Sequence, residues 1–382
     1  MNIAFQKTLE LLLIIGIGVF LQKKVAKSDL KGIKVLILSV ALPAVIFVAL
    51  LKIKLESSLL IFPILALSFN LLMLLASKYY ISKTLPTKDN ARKRTMMLLL
   101  PSLAPGLSCF PFIVVYLGDD YLALSALADV GNKIFVLIML YMLAMHWYNI
   151  RSIKDAKTSM KNKLKGLVLS LLNEPINLVM IIALLLLAFG LNLSSLPDFL
   201  GNTITSLSTI MAPLVLLFIG MAVRINASEF SLILTLLARR AGVTFLISAV
   251  VVLAFPVLAS SMILFIIVFP QSSCSFWPFA HMSAIASLED KDKQTKPTFD
   301  IDFAVNVLAC SLPFSTLLII GVFSFSELFV NPFTILISGV SLLAISYTPT
   351  LLKVLKKVKS HSDNHIDAMS LNLEAQNNEN KD

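Results

Sequence analysis

Three residues able to do electrostatic or proton chemistry lie within about one turn of each other in an otherwise apolar stretch: Asp129, Asn132 and Lys133 in "SALADVGNKIFVLIML". At spacing i, i+4 a carboxylate and an ammonium share one helix face, so the pair can serve as a structural brace. The same pair can act: Lys133 adds positive potential for an anion, and Asp129 takes up a proton or a cation such as sodium. Both readings stand on the sequence, and they are compatible. An isolated charge at mid-bilayer costs at least about 2.5 to 3.5 kcal/mol on insertion scales, so its presence asks for a partner or a task. His281 has a side chain whose ordinary pKa suits a proton switch, set against the commoner role of a hydrogen-bonded packing residue.

Two similar strings supply a second set. "LSCFPF" at 107–112 and "SSCSFWPF" at 272–279 each interrupt an apolar run with small polar residues, a proline and rings. Around them stand Pro105, Gly106, Ser108, Cys109 and Pro111 in one run, and Gln271, Ser272, Ser273, Ser275 and Pro278 in the other. A proline inside a helix removes a backbone donor and clashes with the preceding turn. Irregular backbone at membrane depth persists only where protein or a watery cavity covers it. The strings therefore predict two broken helices meeting near the bilayer centre, with half-helix N-termini that favour negative charge. A small organic anion, typically a carboxylate, suits such a site. These ten residues with Asn132 and Lys133 are the candidates for substrate binding, and Asp129 and His281 those for ion coupling or gating. The rings of Phe110, Phe112, Phe276, Trp277 and Phe279 can receive an apolar body.

The elements that must hold these residues are membrane helices. Of 382 residues 57% are hydrophobic and 14% charged, against about 45 to 50% and about 25% in soluble domains. Spanning takes about 20 apolar residues, and such runs occur near 6–22, 33–51, 58–81, 96–117, 121–148, 173–193, 201–223, 240–257, 260–287, 300–323 and 331–352. The first reads as a retained span because its lysines (Lys23, Lys24, Lys27) follow the apolar run and no cleavage signal appears. Bases gather after odd-numbered spans, with Arg239 and Arg240 counted in the link after the seventh; only Lys52 and Lys54 follow an even one. Short basic loops face the cytoplasm, so the chain reads as a multi-pass cell-membrane protein with an external N-terminus and a cytoplasmic C-terminus. The formal charge of +10 is thereby explained by topology rather than by nucleic acid.

Pro43 and Pro213 stand 170 positions apart, and Pro111 and Pro278 stand 167 apart. One shared offset and five spans per copy, an odd number, imply two inverted repeats. The expected fold is an all-α polytopic membrane protein with crossing broken helices at spans four and nine. It divides into a first repeat (1–148), a basic cytoplasmic link (149–165), a second repeat (166–325), an additional helix (326–353) and a polar, disordered tail (354–382). Cys109, Cys274 and Cys310 all fall within spans, in no metal or disulfide pattern, and read as reduced thiols. Asp300, Asp302 and Asn306 read as the start of the tenth span, with the two carboxylates solvated.

The strings "LILSVALPAVIF", "GDDYLALSALADVGNKIFV", "NEPINLVMIIALLLLAFGL" and "APLVLLFIGMAV" resemble the auxin efflux carrier family, whose bacterial members are described as permeases for malate, malonate and similar acids. The resemblance covers roughly residues 5–323. It implies ten spans in two inverted repeats and a substrate site where spans four and nine cross. This chain departs from the family where substrate would be met: "SLAPGLSCFP" replaces an Asn, Gly and Pro rich string, and "PQSSCSFWPF" lacks the Thr, Ala and Asn that usually follow the proline. The eleventh span and tail are additional.

The resulting expectation is a secondary transporter, not an enzyme, moving a small organic anion through the lipid bilayer. Protons, sodium or neither provide the coupling. No nucleotide-cradling motif, cofactor motif or metal set is present. The competing expectation is a receptor that keeps the fold, has lost translocation and signals through its tail. The oligomeric state is open, a homodimer among the options.

Overall fold

The computed structural model describes residues 3–52, 57–81, 90–151, 175–222, 229–291 and 297–348. The apolar runs form helices, as they must where no water is available to satisfy backbone groups. In chain order these are α1 (Ile3–Leu21), α2 (Asp29–Leu50), α3 (Ile61–Tyr79), α4 (Asn90–Leu99), the single turn α5 (Pro105–Ser108), α6 (Phe110–Tyr116), α7 (Asp119–Arg151), α8 (Pro175–Ala188), α9 (Asp198–Met221), α10 (Phe230–Ala254), α11 (Ser260–Val268), α12 (Phe276–Lys291), α13 (Ile301–Ser324), α14 (Ser326–Phe329) and α15 (Pro332–Thr348). No strand occurs among the described residues.

Among the described residues, seven segments are long and apolar enough to cross a membrane: α2, α3, α7, α9, α10, the run Ser260–Ala286 through α11 and α12, and α13. Leu9–Leu21 within α1, Leu178–Ala188 within α8, and α15 are apolar but shorter. The link expected at 149–165 lies outside the described residues beyond Arg151, and the tail expected at 354–382 lies wholly outside them.

The helices pack in two groups. In one, α1 lies on α9, and α2 lies on α8 and α9. A Cβ on Gly18 would fall 2.4 Å from the Leu217 carbonyl oxygen, and one on Gly220 would fall 2.1 Å from that of Ile15. Only glycine lets α1 and α9 approach so closely, the small-residue packing expected between helices in lipid. In the other group α3 packs on α7, α12 on the second half of α7, and α10 on α11 and α13. The C-terminal half of α2 touches the start of α7, where Lys52 and Asp119 pair at 2.5 Å.

Helix irregularities have local causes. Pro43 has no N–H, and the turn before it widens into a π turn at Ile37–Ala41 with Leu42 N bonding to Ile37 O, as a missing donor in the ladder allows. The prolines of the two strings begin helices rather than bend them: Pro105 opens α5, Pro111 is the second residue of α6 and Pro278 the third of α12. In a first turn the missing N–H has no intrahelical partner to lose. The breaks themselves are the non-helical residues 102–104 and 272–275.

Candidate functional site

The two breaks lie against each other. Ala104 N donates to Ser273 O at 2.8 Å, Ser273 N to Ser108 Oγ at 2.9 Å and Ser275 N to Ser102 Oγ at 3.0 Å. Cys109 lies with its Sγ 3.7 Å from Val268 O, and Cys274 N donates to Ser311 Oγ at 3.3 Å. Trp277 N donates to Ser275 Oγ at 3.3 Å. These bonds correct the expectation of free amides awaiting an anion. Most of the amides at the crossing already have oxygen acceptors, because an unanswered N–H in a nonaqueous interior costs several kcal/mol. The serines of the two strings are largely the internal solvent of the break.

One positive charge at the crossing belongs to a residue that sequence patterning misplaced. Arg239 and Arg240, expected in a loop, lie ten residues inside α10 and are each 2% exposed. Arg240 donates from Nε to Leu100 O at 2.8 Å, and from Nη2 to Ser272 O at 2.7 Å and Ser102 O at 3.3 Å. It thus answers carbonyls at the broken C-terminal ends of both interrupted helices, where partial negative charge gathers. Arg239 turns the other way, to Ser346 Oγ at 3.3 Å and over the Tyr347 ring at 4.6 Å, which fastens α15 to α10. A count of apolar runs cannot separate two arginines at a helix start from two inside one; the signal that could have done so is the apolar sequence "FSLILTLLA" preceding them.

Asp129, Asn132 and Lys133 are buried together on α7. Asn132 Nδ2 donates to Asp129 Oδ1 at 2.8 Å and to Leu103 O at 3.0 Å, while its Oδ1 accepts from Leu103 N at 3.3 Å and from Asn70 Nδ2 at 3.0 Å. One amide therefore splints the first break. Lys133 Nζ stands 3.6 Å from Asp129 Oδ2, the brace expected from the spacing.

A cavity of about 280 Å³ opens between the two helix groups at the crossing. Lys34, Leu38 and Leu42 of α2, Ile176 of α8 and Phe218 of α9 line one side. Leu103 to Leu107, Asp129, Asn132, Lys133, Val136, Ser273 to Trp277, Leu308 and Leu312 line the other. Of the candidates, Pro105, Gly106, Asp129, Asn132, Lys133, Ser273 and Ser275 reach it. Ser108, Cys109, Pro111, Gln271, Ser272 and Pro278 are buried behind it as structural members of the crossing. Gln271 there donates from Nε2 to Ala241 O at 3.1 Å. Phe276 and Trp277 line the cavity, whereas Phe110 and Phe112 belong to the apolar core. Lys34, which drew no attention in the sequence, stands 4.5 Å over the Phe276 ring. His281 lies apart from these residues: its Nε2 donates to Val136 O at 2.9 Å, with Tyr141 edge-on at 5.3 Å.

At the end of the second group that carries Glu229 and the start of α13, Arg92 bridges Asp300 at 2.8 Å and Glu229 at 2.7 Å. Burial lowers the Arg92 pKa, but the hydrogen bonds and charges of Asp300 and Glu229 outweigh it and hold the value above the usual one. Asp300 also caps α13 by accepting from Phe303 N at 3.0 Å, and Asn306 donates to Glu229 at 3.1 Å. Asp300, expected to be solvated, is thus a part-buried junction. Nearby, Glu289 accepts from Thr298 N and Thr298 Oγ1.

No protein-family model matches the chain, and a search of curated proteins finds no match.

Proposed function

We propose that the chain is a secondary transporter for a small organic anion, working by alternating access as one helix group moves against the other. A single observation carries this reading. A cavity with charged lining sits where two interrupted helices meet, between the two helix groups, and both groups contribute to its wall. That placement lets a bound molecule be exposed to either face as the groups tilt. Its volume lies just below the range of about 300 to 1,000 Å³ for small-molecule sites, which suits a small metabolite rather than a lipid. Two lysines and one aspartate in its wall favour an anion.

The finer reading has eleven spans, two inverted five-helix repeats, an external N-terminus and a cytoplasmic C-terminus. It places the chain with the auxin efflux carrier family on the motifs quoted above. The shared offset of the prolines supports the repeat. The pairing of Lys52 with Asp119 at one end, and of Arg92 with Asp300 and Glu229 at another, supports the alternation of loop sides. Asp129, in the wall and hydrogen-bonded to Asn132, is the carboxylate placed to exchange a proton or sodium ion.

Uptake of labelled mono- and dicarboxylates into vesicles containing the purified protein, with an imposed pH or sodium gradient, tests the proposal. Gradient-dependent, saturable flux is expected; absence of flux for every acid under every gradient overturns it. The receptor reading draws on the attachment of α15 to Arg239, next to Arg240 at the crossing. Deleting residues 354–382 separates the two, since a carrier keeps its flux without them.

A further inference from the structure

Three basic side chains, Lys34, Lys133 and Arg240, stand at the crossing, and Arg239 next to Arg240 points away from it. Arg240 is spent on the carbonyls of Leu100, Ser102 and Ser272. Arg239 is spent on Ser346. Lys133 faces the carboxylate of Asp129. Lys34 differs: no acidic partner stands against it among the described residues, and its Nζ lies over the face of Phe276 at 4.5 Å while the side chain lines the cavity. A ring face attracts an ammonium without neutralising it. Neither arginine lines the cavity, and of the charged side chains that do, Lys133 faces Asp129, so the positive charge left for an incoming molecule resides on Lys34.

Resting on the transporter reading above, we propose that Lys34 is the specificity-determining residue of the site, the group that receives the negative charge of the substrate. The incoming oxyanion takes the place of the Phe276 face at Nζ, and the apolar body packs against Phe276 and Trp277. No bond is made or broken. Lys34 belongs to α2, in the first helix group, whereas Phe276 and Trp277 belong to α12, in the second. An anion held between them ties the two groups together, so that occupancy of the cavity and the relative position of the groups become one event. Lys133, by contrast, faces a carboxylate on its own helix, Asp129.

The test uses the full chain carrying Trp147→Phe, which leaves Trp277, in the cavity wall, as the sole tryptophan of the two present. Purified protein is titrated with benzoate, with its neutral analogue benzamide and with malonate, following Trp277 fluorescence. The parent is expected to bind benzoate more tightly than benzamide. In Lys34→Gln the benzoate-to-benzamide affinity ratio is expected to fall about tenfold or more, the scale of a charge-assisted hydrogen bond. In Lys34→Arg it is expected to stay near the parent value. The ratio is insensitive to general loosening of the wall, which alters both ligands alike. An unchanged ratio in Lys34→Gln overturns the role of Lys34 and leaves the anion reading standing. No saturable response of the parent to benzoate or malonate overturns the anion reading, and the role of Lys34 with it.

Discussion

Arg240 Nη2 donates to the Ser272 carbonyl at 2.7 Å, joining the middle of α10 to the second break, while its Nε holds Leu100 beside the first. One buried guanidinium therefore fixes the distance between two chain breaks far apart in sequence. A planar fork with five donors can serve several carbonyls at once, whereas an ammonium acts as a point charge.

Arg240→Met is expected to destabilise the protein by at least about 2 kcal/mol, because each carbonyl left without a donor costs about 1 to 3 kcal/mol. Arg240→Lys should recover only part of the loss. Thermal unfolding of the purified variants in one detergent checks both; equal stability of Arg240→Met and wild type would contradict the pinning role.

Replacing Asp129 alone by Asn removes the carboxylate facing Lys133 inside the protein. Breaking one partner of a buried pair costs about 3 to 5 kcal/mol, whereas replacing both by apolar groups is often neutral. Asp129→Asn should therefore unfold well below wild type, and Asp129→Asn with Lys133→Met should recover most of the difference. A double-mutant cycle on unfolding midpoints reads the coupling. Strict additivity would mean that the two charges do not depend on each other.

Lys52 and Asp119 pair between the two helix groups, with side chains 47% and 32% exposed. Exposed pairs contribute about 0 to 1 kcal/mol, so Lys52→Ala should hardly change the melting temperature. If the groups part at this end during transport, it should still increase access to the cavity from that side. In a Cys109→Ala, Cys310→Ala background, labelling of Cys274 by an impermeant maleimide added to the face bearing Lys52 should speed up. An unchanged labelling rate would show that this pair does not close the path.

Gly131 lies where α7 crosses α3: a Cβ there would fall 1.9 Å from the Pro63 carbonyl oxygen. Backbone cannot yield by that much without separating the helices, so Gly131→Ala should sharply lower the yield of folded protein, seen as loss of the monodisperse peak in size-exclusion chromatography. Gly16→Ala, where nothing stands within 4 Å, is the matched control and should behave as wild type.

The membrane class, the helical runs and the existence of two interruptions were legible in the sequence, because each follows from local composition: apolar length, proline chemistry and the cost of charge in lipid. The brace between Asp129 and Lys133 was legible for the same reason, since a helix fixes the spacing of its own residues. Tertiary structure decided what the local signals could not. Ser102 and Ser108 accept from the backbone of Ser275 and Ser273 across the crossing instead of waiting for a ligand, because the second break arrives from some 170 positions away and satisfies them first. Arg240 became a pin and Lys34 a cavity residue through contacts with other helices, and a linear pattern records neither. Charge in this chain takes its role from the partner that packing places opposite it; sequence establishes only that a partner is required.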